Sequence, residues 1–246
     1  YLHFEDGTTF KGRLHLDSSD ARLKNGIWGE AAFTTGMSGY QETITDPSFL
    51  GQHIIFTNAH IGNYPSQNTV NQSNKVHATA IIARHLSYNE FLNQLDIPFF
   101  TGVDTRRLVK FLTKNKCAHK SVITLPEKGP SADEFKNSKL ITDDLHLVSQ
   151  ASDEIIIPGE NPIVLINYGV KTAILDELKK LHYPLVTVPY HRSAEYILKM
   201  NPRLIFLSNG PGDPRNYHPQ IAEIKKLVQQ NIPIRAICLG HQLIAL

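Results

Sequence analysis

The sequence is short of the features that would place it quickly. It has two cysteines, Cys117 and Cys238, far apart and in segments of different character. Such sparing use argues against a disulfide framework and for a reducing compartment, the cytoplasm. No Cys or His cluster has zinc-ligand spacing, so the twelve scattered histidines do not argue for a metal site. Nothing approaches the run of about 18 apolar residues that a membrane-spanning helix needs. The opening Tyr1-Leu2-His3-Phe4-Glu5-Asp6-Gly7 has neither the basic nor the apolar region of a signal peptide. It also lacks an initiator methionine, so a few preceding residues are expected. A formal net charge of +2 gives no reason to expect nucleic acid or an anionic membrane as partner. The lysine and hydroxyl signature of a P-loop is absent too.

What is present is an ordinary soluble composition. With 41% hydrophobic and 20% charged residues over 246 positions, the chain can bury a sizeable core in one or two domains.

The first half reads as α+β. Asp6-Gly7 is a tight-turn dipeptide between Leu2-His3-Phe4-Glu5 and Thr8-Thr9-Phe10-Lys11, a hairpin signal. Strands are expected at Ala31–Phe33, His53–Asn58 and Ala78–Ala83. Thr34 to Tyr40 is too glycine-rich for either regular element, and Gln41 to Phe49 reads as a turn carrying an exposed hydroxyl at Ser48. Asp104 caps an expected helix whose apolar stripe is Leu108, Phe111 and Leu112. Lys114-Asn115-Lys116 and Lys120 read as solvated surface, and His60 as a turn histidine before a ligand. Residues 121–161 read as a strand followed by a link. Pro158-Gly159-Glu160-Asn161-Pro162 marks the expected boundary, with a first domain at 1–150 and a second at 161–246.

From Pro162 the pattern turns regular. Ile163-Val164-Leu165-Ile166 is a continuous apolar run suited to a central parallel strand. Strands at Leu185–Val188 and Leu204–Leu207, and one ending at Cys238, alternate with helices at Lys171–Leu181, Ser193–Leu198 and Pro219–Gln230. Short alternation of this kind implies a doubly wound parallel sheet, which binds ligands beyond the carboxyl ends of its strands. Two loops fall there. Ser208-Asn209-Gly210-Pro211-Gly212-Asp213-Pro214 lets backbone amides approach a ligand, although alone it suits a plain Pro-Gly turn. The second is the passage from Ile234 through Cys238 into a helix beginning at Leu239, with the small Ala236 and Gly240 on either side. A strand-to-helix turn holds a nucleophile in the open, and a helix N-terminus favours the reactive thiolate. The amide of Leu239 and those of the glycine loop would then stabilise an oxyanion. The same position also suits a buried core cysteine.

Phe206-Leu207-Ser208-Asn209-Gly210-Pro211-Gly212-Asp213-Pro214 and Ile237-Cys238-Leu239-Gly240-His241-Gln242 resemble the motifs of class I (triad) glutamine amidotransferases. Four stretches of the first half narrow this. Thr35-Gly36-Met37-Ser38-Gly39-Tyr40-Gln41-Glu42, Thr45-Asp46-Pro47-Ser48, His60-Ile61-Gly62-Asn63 and Gly102-Val103-Asp104-Thr105-Arg106 resemble the N-terminal domain of the carbamoyl phosphate synthetase small subunit. The resemblance covers nearly the whole chain, in order. It implies an N-terminal α+β domain followed by a C-terminally incomplete amidotransferase domain. It further implies a ligase-class enzyme of the cytoplasm whose Cys238 hydrolyses glutamine through a thioester. Ammonia would pass through a tunnel to a large subunit, in a heterodimer serving arginine and pyrimidine synthesis. No cofactor is implied for this subunit, since ATP, magnesium and bicarbonate are used by the large one.

By the same resemblance Ser48, Gly210, Gly212, Leu239 and Gln242 hold the glutamine, with Ser48 reaching it from the first domain. Gly212 and Leu239 supply the oxyanion amides, and Lys171 matches a recurrent position without a catalytic role. Three departures stand out. Ala236 replaces the usual glycine, the region of Ser87-Tyr88 is about a dozen residues short, and the sequence stops at Leu246. The family's general base, in a His-x-Glu pair, is expected beyond that point, and His241 is expected in packing or on a backbone partner. The alternative is a non-catalytic fragment that only docks on the large subunit. An unrelated cysteine hydrolase is opposed by the first-half motifs, and Cys238 argues against the serine-bearing relatives that lose glutamine use.

Overall fold

His53-Ile54-Ile55-Phe56 shows no polar alternation because both of its faces are covered. Ile54 and Phe56 enter one apolar cluster and Ile55 another, the period-2 division of a strand inside a layered sheet. The computed structural model describes residues 1–17, 19–114, 120–140 and 152–246. Two compact units form, residues 1–142 and 143–246. The expectations for Cys117 and for Asn115-Lys116 lie outside the described residues.

In the first unit β1 (Leu2–Phe4), β2 (Thr9–Phe10), β3 (Arg13–His15) and β4 (Ile27–Thr34) precede α1 (Tyr40–Ile44). Then follow β5 (Gln52–Phe56), β6 (His60–Ile61), β7 (Ala80–Ile82), β8 (His85–Leu86), α2 (Glu90–Asn93), β9 (Phe99–Thr101), α3 (Thr105–Lys114), β10 (Lys120–Ile123) and α4 (Ala132–Asn137). Eight of the strands form one sheet in the order β2-β1-β10-β4-β5-β7-β9-β3, while β6 and β8 pair in parallel as a separate ribbon. The expected hairpin is present, with Leu2 opposite Phe10 and His3 opposite Thr9. Strands β4, β5, β7 and β9 run parallel. Leu108 and Leu112 of α3 enter the cluster on one face of the sheet, and Tyr40, Ile44 and Leu92 of α1 and α2 enter the other. The expected cap of α3 is made, Asp104 Oδ1 accepting the Arg107 N–H at 3.0 Å.

Two local expectations are corrected here. The stretch after Gly39 is not all turn, because Tyr40 and Ile44, one helical turn apart, are both buried and draw a single turn of helix onto the sheet. The link after β10 holds α4, stabilised by a capping box in which the side chains and backbone of Ser131 and Glu134 bond reciprocally.

The second unit contains β11 (Glu154–Ile157), β12 (Ile163–Asn167), α5 (Thr172–Lys179), β13 (Leu185–Pro189), α6 (Ala194–Leu198), β14 (Leu204–Leu207), α7 (His218–Val228), β15 (Ile234–Ala236) and α8 (Leu239–Ala245). Its sheet order is β11-β13-β12-β14-β15. All neighbours are parallel except β11, which adds an antiparallel edge. Val164 and Ile166 pack with α6, α7 and α8, whereas Ile163 and Leu165 pack with Leu178 of α5 on the opposite face. Helices therefore cover both faces, as a doubly wound sheet requires. β12 is central, paired on both sides, as its unbroken apolar run predicts. Among the described residues β15 is an edge strand, with Ile234 half-buried and Arg235 exposed.

Candidate active site

The order β13-β12-β14 reverses the direction of strand addition between β12 and β14, the point where such sheets open a crevice at their carboxyl ends. In this chain that opening is cross-linked by polar groups. Ser208, buried at the end of β14, accepts the Tyr168 N–H on its Oγ at 2.9 Å and donates to the Asn209 carbonyl at 2.7 Å. Asn209, also buried, accepts the Lys171 N–H at 3.1 Å and donates from Nδ2 to the Gly169 carbonyl at 2.9 Å. These bonds satisfy backbone groups that the strands release as they end, and they hold the Gly210-Pro211-Gly212 loop against Tyr168. The approach is so close that a Cβ on Gly210 would lie 2.3 Å from the Tyr168 carbonyl oxygen.

The elbow after β15 is fastened to the same strand end. The Ile237 N–H bonds the Leu207 carbonyl at 3.1 Å, and the Gly240 N–H bonds the Ser208 carbonyl at 3.1 Å. Gly240 is required there, because an added Cβ would stand 2.6 Å from both the Cβ and the carbonyl oxygen of Leu207. Between these two ties the backbone of Cys238 takes φ +51° and ψ −113°. A non-glycine residue in that region is strained by about 1–3 kcal/mol, and the surrounding bonds must hold it. Leu239 and Leu243 bury in the core and anchor α8. Cys238 itself is a free thiol on the surface, so the reading as a core cysteine does not hold. The Gln242 N–H closes the first turn onto the Cys238 carbonyl at 3.0 Å. The Leu239 N–H, in that first turn, has no intrahelical acceptor and is available to a ligand.

The structure thus places Gly210 and Gly212 on the loop after β14, and Cys238, Leu239 and Gln242 at the N-cap and in the first turn of α8 after the adjoining β15. Gly212 has φ +85°, and Asp213 next to it accepts the Arg215 N–H at 2.9 Å to start a 3-10 turn at Pro214–Asn216, against which α8 packs. The Arg215 guanidinium beside Asp213 holds its carboxyl below the usual range. Among the described residues His241 is exposed. Lys171 stands at the N-cap of α5 without a side-chain cap bond. Ser48 belongs to the first unit, where it is half-buried on the turn Pro47–Phe49 and its N–H bonds Asp46 Oδ1 at 2.9 Å. Among the described residues no group of three or more His, Cys, Asp or Glu could hold a metal ion. None of the described helices is long and apolar enough to cross a membrane.

Sequence reasoning missed what braces the glycine loop. Tyr217, fully buried, donates from its hydroxyl to the Pro211 carbonyl at 2.9 Å and meets the rings of Tyr168 and Tyr190 edge-on. Burial pushes the hydroxyls of Tyr168 and Tyr217 above their ordinary titration range, so both remain protonated. The available signal was the polar pair Ser208-Asn209 directly after four apolar strand residues, since buried polar groups must find partners.

Comparison with known proteins gives a family for each half. The profile of the carbamoyl-phosphate synthase small chain, CPSase domain, matches residues 2–123, and that of class-I glutamine amidotransferase matches residues 164–246. The chain is similar over its whole length to the carbamoyl phosphate synthase small chain of Listeria monocytogenes, at 39% identity and covering 69% of that protein. The proteins of the same description from Lactococcus lactis and Streptococcus pneumoniae are 36% identical, with the whole chain matched and 70% of each covered.

Proposed function

This chain belongs to the carbamoyl phosphate synthase small-chain family, and on that premise we propose that it hydrolyses glutamine at Cys238. The observation that carries the reading is the exposed thiol held at positive φ between a strand and a helix, beside a glycine-rich loop. Sγ of the Cys238 thiolate attacks the side-chain carboxamide carbon of glutamine, and the carbonyl oxygen becomes an oxyanion. The N–H groups of Leu239 and Gly212 donate to that oxygen, where the charge develops. The C–N bond breaks as the nitrogen takes up the proton that the Cys238 thiol gave up on becoming the thiolate, and ammonia leaves. Water then attacks the glutamyl thioester, releasing glutamate and restoring the thiol.

Gly210, on the loop after β14, and Gln242, in the first turn of α8, hold the substrate. The assignment of Ser48 to glutamine rests on the resemblance of its own stretch. The ammonia is passed to a large chain, which combines it with bicarbonate, using ATP and magnesium, to make carbamoyl phosphate for arginine and pyrimidine synthesis in the cytoplasm. The glutaminase step as proposed uses no cofactor on this chain.

The test is Cys238→Ser in the full-length protein assembled with its large chain. Glutamine-dependent synthesis is expected to vanish while ammonia-dependent synthesis persists. Equal loss of both activities would remove the assigned role, and unchanged glutamine use would remove the nucleophile.

A further inference from the structure

A second cleft, of about 910 Å³, is lined wholly by residues of the first unit, none of which is assigned to glutamine hydrolysis. Its walls carry Lys11, Arg13, His15, His60, Arg84 and His85, and no carboxylate lines it. These basic and imidazole side chains come from two separate elements. Arg13 and His15 lie two residues apart on β3 and so share a face, at the outer edge of the eight-stranded sheet. His60 and His85 stand opposite each other on the β6/β8 ribbon, their ring centroids 6.0 Å apart. Hydrogen bonds fix the imidazoles, His60 Nε2 to Ser87 Oγ at 2.6 Å and His15 Nε2 to the buried Thr101 Oγ1 at 2.7 Å.

We propose that this cleft binds a compact polyanion of the phosphate class.

Charge pairing is the first support. Arg22, Arg192 and Arg215 each form an ion pair with an aspartate. Among the described residues, Lys11, Arg13 and Arg84 form none; Arg106, Arg107, Arg203 and Arg235 form none either, so what marks the cleft is that three such cations gather in one lining without a carboxylate. Basic residues on an edge strand discourage sheet-to-sheet pairing, which accounts for Lys11 and Arg13. It does not account for Arg84, His60 and His85 on the facing ribbon. Burial and the Arg13 charge hold His15 below the ordinary imidazole range, a sign of the positive field inside the cleft. Two of the stretches that carry the family resemblance, starting at His60 and Gly102, meet here although far apart in sequence, and the glutaminase chemistry uses neither.

The lining also selects the ligand. Its volume falls in the range of small-molecule sites, yet Leu86 is its one large apolar side chain and it holds no Phe, Tyr or Trp. A nucleobase would find only imidazole and guanidinium faces, and the ring of Tyr88 beside His15, to stack on. Guanidinium groups and hydroxyls suit phosphate oxygens, which accept several charge-assisted bonds at once.

The experiment is calorimetric titration of the full-length protein with inorganic pyrophosphate at low salt, with imidazole NMR as a second readout. Binding is expected to weaken by at least about tenfold in the Arg13→Gln/Arg84→Gln variant, and to stay unchanged in Lys225→Gln on α7 of the second unit. The His60 and His85 resonances are expected to move on addition of pyrophosphate. A nucleoside diphosphate is expected to bind no more tightly than pyrophosphate. Absence of binding at millimolar pyrophosphate, or equal affinity in the double variant, would overturn the proposal. Tighter binding of the nucleotide would overturn the compact-ligand assignment. Loss of a protein partner in the double variant with pyrophosphate affinity intact would replace the ligand by an acidic protein surface.

Discussion

Tyr217 donates its hydroxyl hydrogen to the Pro211 carbonyl at 2.9 Å, and both residues are buried. One tyrosine therefore sets the height of the loop that presents the Gly210 and Gly212 backbone beside the Cys238 elbow. It acts from behind, as a positioning residue, through a carbonyl that has no access to water.

Tyr217→Phe keeps the ring packing against Tyr168 and Tyr190 but removes the donor. A buried carbonyl left without a partner costs about 1–3 kcal/mol. The variant is expected to melt lower and to hydrolyse glutamine with a reduced kcat, since the loop loses its brace while the thiol stays in place. Thermal unfolding and steady-state glutaminase assays check this. Wild-type values for both would show that the loop holds itself.

Gly240→Ala tests the fastening of the elbow. The new Cβ would enter the space of the Leu207 carbonyl and Cβ, and backbone cannot swing aside as a flexible side chain does. Overpacking of this kind costs about 1–3 kcal/mol, and here it displaces the first turn of α8. Glutamine hydrolysis is expected to fall far more than ammonia-dependent synthesis by the assembled enzyme. An equal loss in both would locate the damage in folding or assembly instead.

His53 makes the first unit sensitive to acid. Its imidazole is fully buried, and that desolvation pushes its pKa down from 6.5 to about 3. The unfolded chain therefore takes up a proton near pH 6.5 that the folded chain refuses until about pH 3. Stability is whole above pH 6.5 and is lost as the pH falls through that window, at up to about 1.4 kcal/mol per pH unit. His77, pushed down to about 4 chiefly by burial, acts in the same direction. Denaturant titrations at pH 7, 6 and 5 are expected to show the decline, and His53→Gln to flatten it. A decline just as steep in His53→Gln would assign the acid sensitivity to other groups.

Much of the second unit was legible because its physics is local. Four apolar residues in a row at Ile163–Ile166 announce a strand covered on both faces, and Ser193 before Ala194 announces a helix start that the structure caps with its side chain. The elbow was legible for the same reason, since a strand and a helix meet at Cys238 with small residues beside it. What stayed hidden depends on distant partners. The helix at Tyr40–Ile44 is one turn long, too short for periodicity to reveal, and it forms because the sheet buries one side of it. The role of Tyr217 needs the fold to bring Tyr168 and Pro211 to it. The Ser131 and Glu134 capping box was readable in principle, three residues apart, in a segment taken for a link.

The central claim is that the Cys238 thiol attacks the glutamine side chain, and the most direct measurement is active-site labelling. The full-length protein is treated with a glutamine analogue carrying a reactive diazoketone in place of the carboxamide, and the adduct is mapped by peptide mass spectrometry. The account predicts a single label on Cys238, suppressed by excess glutamine, with loss of glutamine hydrolysis in proportion to labelling. Inactivation with the label on another residue, or full labelling of Cys238 with glutamine hydrolysis intact, would contradict it.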